Sequence, residues 1–381
     1  MVNYVVKAGD SPWSIAKKYG VNYNDIITIN GLANRKNLVI GESLLIPINQ
    51  SKYKEEIEVN GFIIPTTPER ETSIIEDVQK SLTYITPFSY HVNADGTLTT
   101  LNDDVIIKQA KKYKVAPMLC VANISSSGGF DTELIGKILN DKNIQNTLIN
   151  NIIITLRRKG FRGVIVDFER IPPKDKQNYN DFLKELVRRV HAAGRYLVAT
   201  ALAPKQSSKQ VGPWYEAHDY EAHGKIVDFV ILMTYEWGWS GGPPRAVAPI
   251  NEVIKVLNYA VSVIPSYKIM MGVPYYGYDW KLPFVQGGPF AEALGNQEAV
   301  IRAAKYGANI KYDVISQSPF YNYMDENRVM RVVWFEDSRS MMSKFNLVTK
   351  YGLRGVSYWV LGKPFPQNWA LIKSMFRVKK L

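Results

Sequence analysis

Between residues 59 and 359, eight short apolar runs rich in β-branched residues recur, with stretches of helical spacing between them. This alternation limits the architecture more than any other feature of the chain. The runs cover residues 59–64, 84–89, 116–123, 163–168, 196–202, 229–233, 268–274 and 355–359. Near-continuous apolar strands that alternate with helices are the pattern of a parallel α/β sheet covered on its faces. Eight of them predict closure into a (β/α)8 barrel, whose chemistry sits where the strands end. The intervening helices have the expected spacing. Residues 181–193 place Phe182, Leu183, Leu186, Val187 and Val190 on one face and stop at Gly194. The connection between the seventh and eighth runs, residues 275–354, is too long for one helix. A helix near 297–305 and a hairpin around 310–335 are expected there, as a small insertion beside the barrel mouth.

The 381 residues leave room ahead of the barrel for a small module over 1–48, joined by a polar linker over 49–58 to a barrel over 59–381. The module reads as βααβ. Tyr4, Val5 and Val6 form a strand; Gly9 and Asp10 turn; Ser11 caps a helix with Pro12 at its first position. Trp13, Ile15, Ala16 and Tyr19 mark that helix's apolar face, with Trp13 read as core in preference to an exposed stacking ring, and Gly20 ends it. A second helix from Asn22 buries Ile26, Ile27 and Ile29 and ends at Asn30-Gly31, and residues 43–48 close the unit.

Net charge is +12, of which residues 1–50 contribute only +2. Such a surface is either simply solvated or suited to an anionic polymer, and no dense Lys/Arg run of the nucleic-acid-binding kind is present. No uninterrupted apolar stretch reaches 18 residues, so no membrane span is expected. The single Cys120 excludes an intramolecular disulfide. His91, His191, His218 and His223 have no ligand spacing, so neither a metal nor another cofactor is expected. The opening MVNYVVKAGD lacks the features of a secretory signal, and export by the usual route is not expected from it.

The fourth run carries the chemistry. In Gly163-Val164-Ile165-Val166-Asp167-Phe168-Glu169, period-two alternation turns Ile165, Asp167 and Glu169 to the barrel interior and leaves two acids at the mouth. Unpartnered buried acids are costly, so the placement implies either function or a local ion pair, Glu169 with Arg170 being the ordinary alternative.

Two resemblances sharpen this reading. Residues 4–48, YVVKAGDSPWSIAKKYGVNYNDIITINGLANRKNLVIGESLLIPI, resemble a LysM module, which implies N-acetylglucosamine binding by two loops, here Gly9, Asp10, Ser11 and Pro12 with Leu38, Val39 and Ile40. The barrel resembles glycoside hydrolase family 18. Asp167 and Glu169 match the end of its DxxDxDxE strand, although Arg162 and Ile165 replace the two earlier acids. Ser127-Gly128-Gly129 resembles its SxGG, Met233-Thr234-Tyr235-Glu236 its MTYD, and Trp359 the tryptophan under the sugar. Each piece alone has an ordinary explanation as turn or core, and their order at successive strand ends decides. The stretches VVWFEDSRSM and MTYEWGWSGGPPRAVAPI resemble the LysM-bearing subgroup associated with bacterial spores and cortex peptidoglycan, which implies a spore-associated or wall-associated protein.

What the resemblance implies is a retaining hydrolase of bonds after N-acetylglucosamine, assisted by the substrate's own acetamido oxygen. Glu169 would be the acid/base, Asp167 would orient the acetamido group, and Tyr235 would bind it. Trp359, Glu236, Trp237, Ser127, Gly128 and Gly129 would line the substrate site. Without an acid at 165, Asp167 is expected to ionise more readily. The partner is a peptidoglycan or chitin-like polysaccharide. A chitinase and a catalytically silent lectin are the alternatives, and the retained Glu169 argues against the lectin.

Overall fold

The computed structural model describes residues 1–33, 35, 37–48, 54–125 and 128–381. The barrel forms as expected. Its strands are Glu55–Ile63, Tyr84–Pro87, Ala116–Ala122, Gly163–Asp167, Leu197–Leu202, Phe229–Leu232, Ile269–Pro274 and Gly355–Trp359. Each pairs in parallel with the next, and the eighth closes on the first through Gly355 opposite Glu58. Inward residues Phe62, Tyr84, Met118, Cys120, Ile165, Ala199, Phe229, Ile231 and Met270 fill the interior, so the barrel is a packed core and not a pore. A larger apolar layer, including Ile75, Leu148, Leu186, Leu257 and Phe345, packs the helices on its outside.

The first strand starts at Glu55, inside the stretch expected to be linker, of which residues 49–53 lie outside the described residues. Its acidic residues disguised it. Glu58 is buried at the lower end of the barrel, where it accepts from Tyr84 Oη at 2.9 Å, Arg354 Nε at 2.6 Å and Lys379 Nζ at 2.9 Å. Residues Phe376–Val378 pair with the start of the same strand and extend it.

The insertion is larger than a hairpin. Its helix, Asn296–Lys305, packs on a five-stranded antiparallel sheet of Gly277–Lys281, Glu292–Leu294, Lys311–Asp313, Ser318–Met324 and Met330–Trp334. Short strands broken by Gly-Gly-Pro and Asp-Glu-Asn turns gave little alternation to read in sequence.

The N-terminal module is βααβ, with Val2–Val5 antiparallel to Ser43–Ile46 and helices Pro12–Tyr19 and Tyr23–Ile29 between them. Ser11 and Ser14 form a reciprocal cap at 3.0 Å each way. Trp13 is not core: it is 62% exposed, with the Lys17 amine 5.2 Å from its ring, because Ile15 and Ala16 alone turn inward on so short a helix.

This module is docked on the barrel, not merely tethered. Gln367 Nε2 donates to Asn30 Oδ1 and to the Ser43 carbonyl, both at 2.8 Å, and the Ser43 and Ser338 hydroxyls meet at 2.8 Å. Ile310 N–H donates to the Ile40 carbonyl at 2.9 Å, Val39 enters the apolar core of the insertion, and Leu45 enters that of the barrel. Gly41, at φ +83°, lies so close to Ile310 that an added Cβ would fall 1.8 Å from its carbonyl oxygen. Among the described residues no helix is long and apolar enough to cross a membrane.

Candidate active site

The fourth strand brings its inward side chains up through the interior. Ile165 is wholly buried in the apolar layer, and Asp167 is the next inward residue above it, only 6% exposed. Asp167 Oδ1 has no hydrogen-bond partner among the described residues. Ionising a carboxyl there strips its hydration and offers little in return, so burial pushes Asp167 up to about 7. This rise comes from burial; the expectation that Ile165 eases ionisation concerns a different influence, the like charge that an acid at 165 would have added.

Glu169 follows on the same face, half-buried at the mouth. Burial holds its carboxyl well above the usual range, the Asp167 charge adds to this, and Arg170 opposes it. Two acids so placed titrate as a pair. Arg170 makes no ion pair with Glu169. Its guanidinium instead lies over the Trp214 ring, 4.5 Å from the centroid.

The backbone around Glu169 is fixed by two wholly buried side chains. Asn123, at the end of the third strand, accepts from Glu169 N–H and donates to the Glu169 carbonyl, both at 2.9 Å, and donates to the Asp131 carbonyl at 3.0 Å. His218 Nδ1 accepts from Ala203 N–H at 2.8 Å, which leaves Nε2 as the donor to the Phe168 carbonyl at 2.9 Å. Burial lowers His218 to about 4, so the ring is neutral and this tautomer persists. Sequence reasoning missed both. A polar residue ending an apolar strand just before a serine-glycine turn was the signal for Asn123; for His218 there was none.

Around the rim, Tyr235 is half-buried beneath the strand ends, its ring against Gly272, where a Cβ would fall 2.8 Å from it. Its phenol is pushed up by burial and by the charges of Asp167 and Glu169. Glu236 has φ +66° and accepts from Tyr276 Oη, through Oε1, and from Tyr278 Oη at 3.0 Å. Burial raises its carboxyl while these two phenols oppose the rise. Tyr276 and Tyr278 come from the insertion, which thus forms part of the mouth. The close-spaced aromatics after the seventh strand, PYYGYDW, were their unread signal. Trp237 turns partly toward the outer core, its amide on the Val247 carbonyl at 3.1 Å. Trp359 ends the eighth strand half-buried, edge-on to Phe62 at 5.6 Å and Phe88 at 4.6 Å. Gly128 and Gly129 both take left-handed backbone, with open space where a Cβ would stand, and Ser127 lies outside the described residues. No group of three or more His, Cys, Asp or Glu able to hold a metal ion occurs among the described residues.

In the N-terminal module, Gly9 turns at φ +85°, and the Asp10 carboxylate accepts from Tyr4 Oη and Lys7 N–H, each at 2.7 Å. Ser11 and Pro12 begin the first helix. Leu38 is half-buried in the module's own core, Val39 is buried against the insertion, and the Ile40 side chain stays exposed while its carbonyl serves the docking contact. One of the two loops expected to hold sugar is therefore also a seam between domains.

Comparison with known proteins agrees with this geometry. The pattern of Glycosyl hydrolases family 18 matches residues 58–363, and that of the LysM domain matches residues 4–47. The chain is 43% identical to the cortical fragment-lytic enzyme of Bacillus cereus over 98% of both chains. It is 39% identical to that of Bacillus subtilis (strain 168), over 99% of this chain and 98% of the relative. The crystal structure of the Bacillus megaterium QM B1551 spore cortex-lytic enzyme SleL superposes with a TM-score of 0.94 at 40% identity, covering 100% of this chain and 99% of that one.

Proposed function

This chain belongs to the family 18 glycosyl hydrolases and carries a LysM domain, and from that premise we propose that it hydrolyses the β-1,4 bond following N-acetylglucosamine in fragments of spore-cortex peptidoglycan. The observation that carries the proposal is the pair of acids at the end of the fourth strand, Asp167 its last residue and Glu169 two residues beyond. One is buried with a free oxygen and the other is half-buried at the mouth with a raised pKa, opposite an aromatic floor at Trp359. Relatives that align over nearly the whole chain and are named as cortical fragment-lytic enzymes support the choice of polymer. A cortical substrate implies action in the spore.

In this reading the sugar before the scissile bond stacks on Trp359. Glu169, whose carboxyl burial holds above the usual range, delivers its proton to the glycosidic oxygen as the C1–O bond breaks and the acetamido oxygen bonds to C1. Asp167, ionised once substrate N–H groups face it, accepts from the acetamido N–H and stabilises the oxazolinium cation. Tyr235 donates to the acetamido group. The leaving sugar departs, and Glu169, now a carboxylate, takes a proton from the water that opens the oxazolinium ring. Two inversions at C1 leave the configuration retained, and Glu169 ends protonated as it began.

Mass spectrometry of the new reducing ends tests this. Cortical fragments should yield products ending in N-acetylglucosamine, because a lactam carbonyl locked in a second ring cannot attack C1. Products ending mainly in muramic acid or its lactam would contradict the proposal.

A further inference from the structure

We propose that Arg170, held against the face of Trp214, recognises a carboxylate carried by the sugar on the leaving-group side of the scissile bond. The inference rests on the reading of the site given above and extends it to what lies beyond the cut.

Barrel geometry sets the direction. In the closed ring the eighth strand, bearing Trp359, and the fourth, bearing Asp167 and Glu169, are separated by four steps whichever way round one counts. A sugar on Trp359 whose glycosidic oxygen reaches Glu169 therefore points its leaving group toward the rim around the end of the fourth strand, which the fifth strand adjoins. Arg170 directly follows Glu169 at that rim, and Trp214 lies in the loop after the fifth strand.

The conformation of Arg170 is specialised. It is one of five described non-glycine residues with positive φ, at +55°, a left-handed turn that arginine adopts only at some cost. The side chain lies over Trp214, with the guanidinium carbon 4.5 Å from the ring centroid. Among the described residues no carboxylate lies within ion-pair distance of that guanidinium, whereas Arg302 and Arg331 at the insertion sheet are both tied to Asp279. Arg170 is exposed, and a guanidinium lying over an indole leaves N–H donors available to a bidentate carboxylate.

The platform under it is tied down. Tyr220 Oη donates to the Ala203 carbonyl at 2.7 Å, the wholly buried Lys205 donates through Nζ to the His218 carbonyl at 3.1 Å, and Glu216 accepts from Gly212 N–H at 3.2 Å. These contacts bracket Trp214 on both sides in sequence.

The chemistry then separates substrates. In peptidoglycan the sugar following N-acetylglucosamine bears a lactyl ether ending in an acid or a short acidic peptide. The corresponding chitin sugar bears none, and a muramic lactam has consumed its acid in the ring. Arg170 gives the site a reason to prefer the acid-bearing neighbour, where the acids at 167 and 169 alone would not.

The test compares one pool of soluble peptidoglycan fragments with the same pool after its carboxylates are converted to methyl amides. It uses the full chain and its Arg170→Gln, Arg170→Lys and Trp214→Ala variants, with kcat/KM as the readout. Charge-assisted hydrogen bonds of this kind correspond to ~10- to 100-fold, so wild type should prefer the free-acid pool by about that factor. In Arg170→Gln the preference should collapse to near one, Arg170→Lys should keep part of it, and Trp214→Ala should reduce it. Because the readout is a ratio within each variant, any change in Glu169 or in folding cancels. Two results would overturn the inference: no preference in wild type, or an undiminished preference in Arg170→Gln. Inactivity of wild type on both pools would instead remove the substrate reading itself, and the inference with it.

Discussion

A single side chain, Asn123, grips both hydrogen-bonding groups of the Glu169 backbone, accepting from its N–H and donating to its carbonyl at 2.9 Å each. The third strand thereby sets where the fourth strand's last acid stands. Asn123→Ala leaves buried backbone groups unpaired and lets that acid shift. Displacement of a catalytic group by about 1 Å can cost ~100-fold in rate, so kcat should fall ~10- to 100-fold while KM moves little. Steady-state kinetics on soluble fragments checks this. A variant that raises KM and leaves kcat intact would show that Asn123 serves substrate binding instead.

Asp167 should make the fold less stable as pH rises. Its carboxyl is pushed up to about 7 in the folded chain, against about 3.9 when unfolded. The group's relative stabilisation is therefore full below about pH 4 and is lost as pH rises toward 7, where the unfolded state ionises freely and the folded one resists. Asp167→Asn does not titrate, so it should match wild type in thermal denaturation near pH 4 and exceed it at pH 8, although it is crippled as an enzyme. A variant less stable than wild type at pH 8 would mean that the buried carboxylate has partners in solution which outweigh its desolvation.

The polar linker expected over residues 49–58 implies a LysM module that is merely tethered to the barrel. The docking contacts change that expectation. Taking away residues 1–53 uncovers the seats of Val39 and Leu45 and strips Gln367 and Ile310 of their partners. The shortened chain should both lose retention on insoluble glycan and melt at a clearly lower temperature. Gly41→Ala should act in the same direction on melting, because a Cβ there meets the Ile310 carbonyl oxygen at 1.8 Å. Unchanged melting of the shortened chain would return the module to the status of a tethered anchor.

The sequence made the barrel legible because apolar runs buried on both faces stand out even without alternation, and it made Asp167 and Glu169 legible because strand period alone turns them inward. It hid what depends on contacts distant in the chain. Glu55, Glu56 and Glu58 read as linker until Arg354 and Lys379 neutralise Glu58 from the other end of the chain. Trp13 read as core because helical spacing cannot say how wide a short helix's buried face will be. Tyr276 and Tyr278 reach Glu236 only because the insertion sheet folds over the mouth, a packing that no local pattern encodes. The rise of the Asp167 carboxyl was hidden too, since strand period turns the side chain inward without saying how completely it is buried above Ile165.

The most direct measurement is the turnover of Glu169→Gln on soluble cortical fragments, with binding measured alongside. Gln keeps the shape of the side chain and the backbone grip of Asn123 but cannot shuttle a proton. General acid/base catalysis contributes typically ~100- to 10,000-fold, so the account predicts that kcat falls by at least ~100-fold while oligosaccharide still binds with near wild-type affinity. Cleavage of the same fragments at near wild-type rate would contradict it and turn attention to Glu236 as the proton donor.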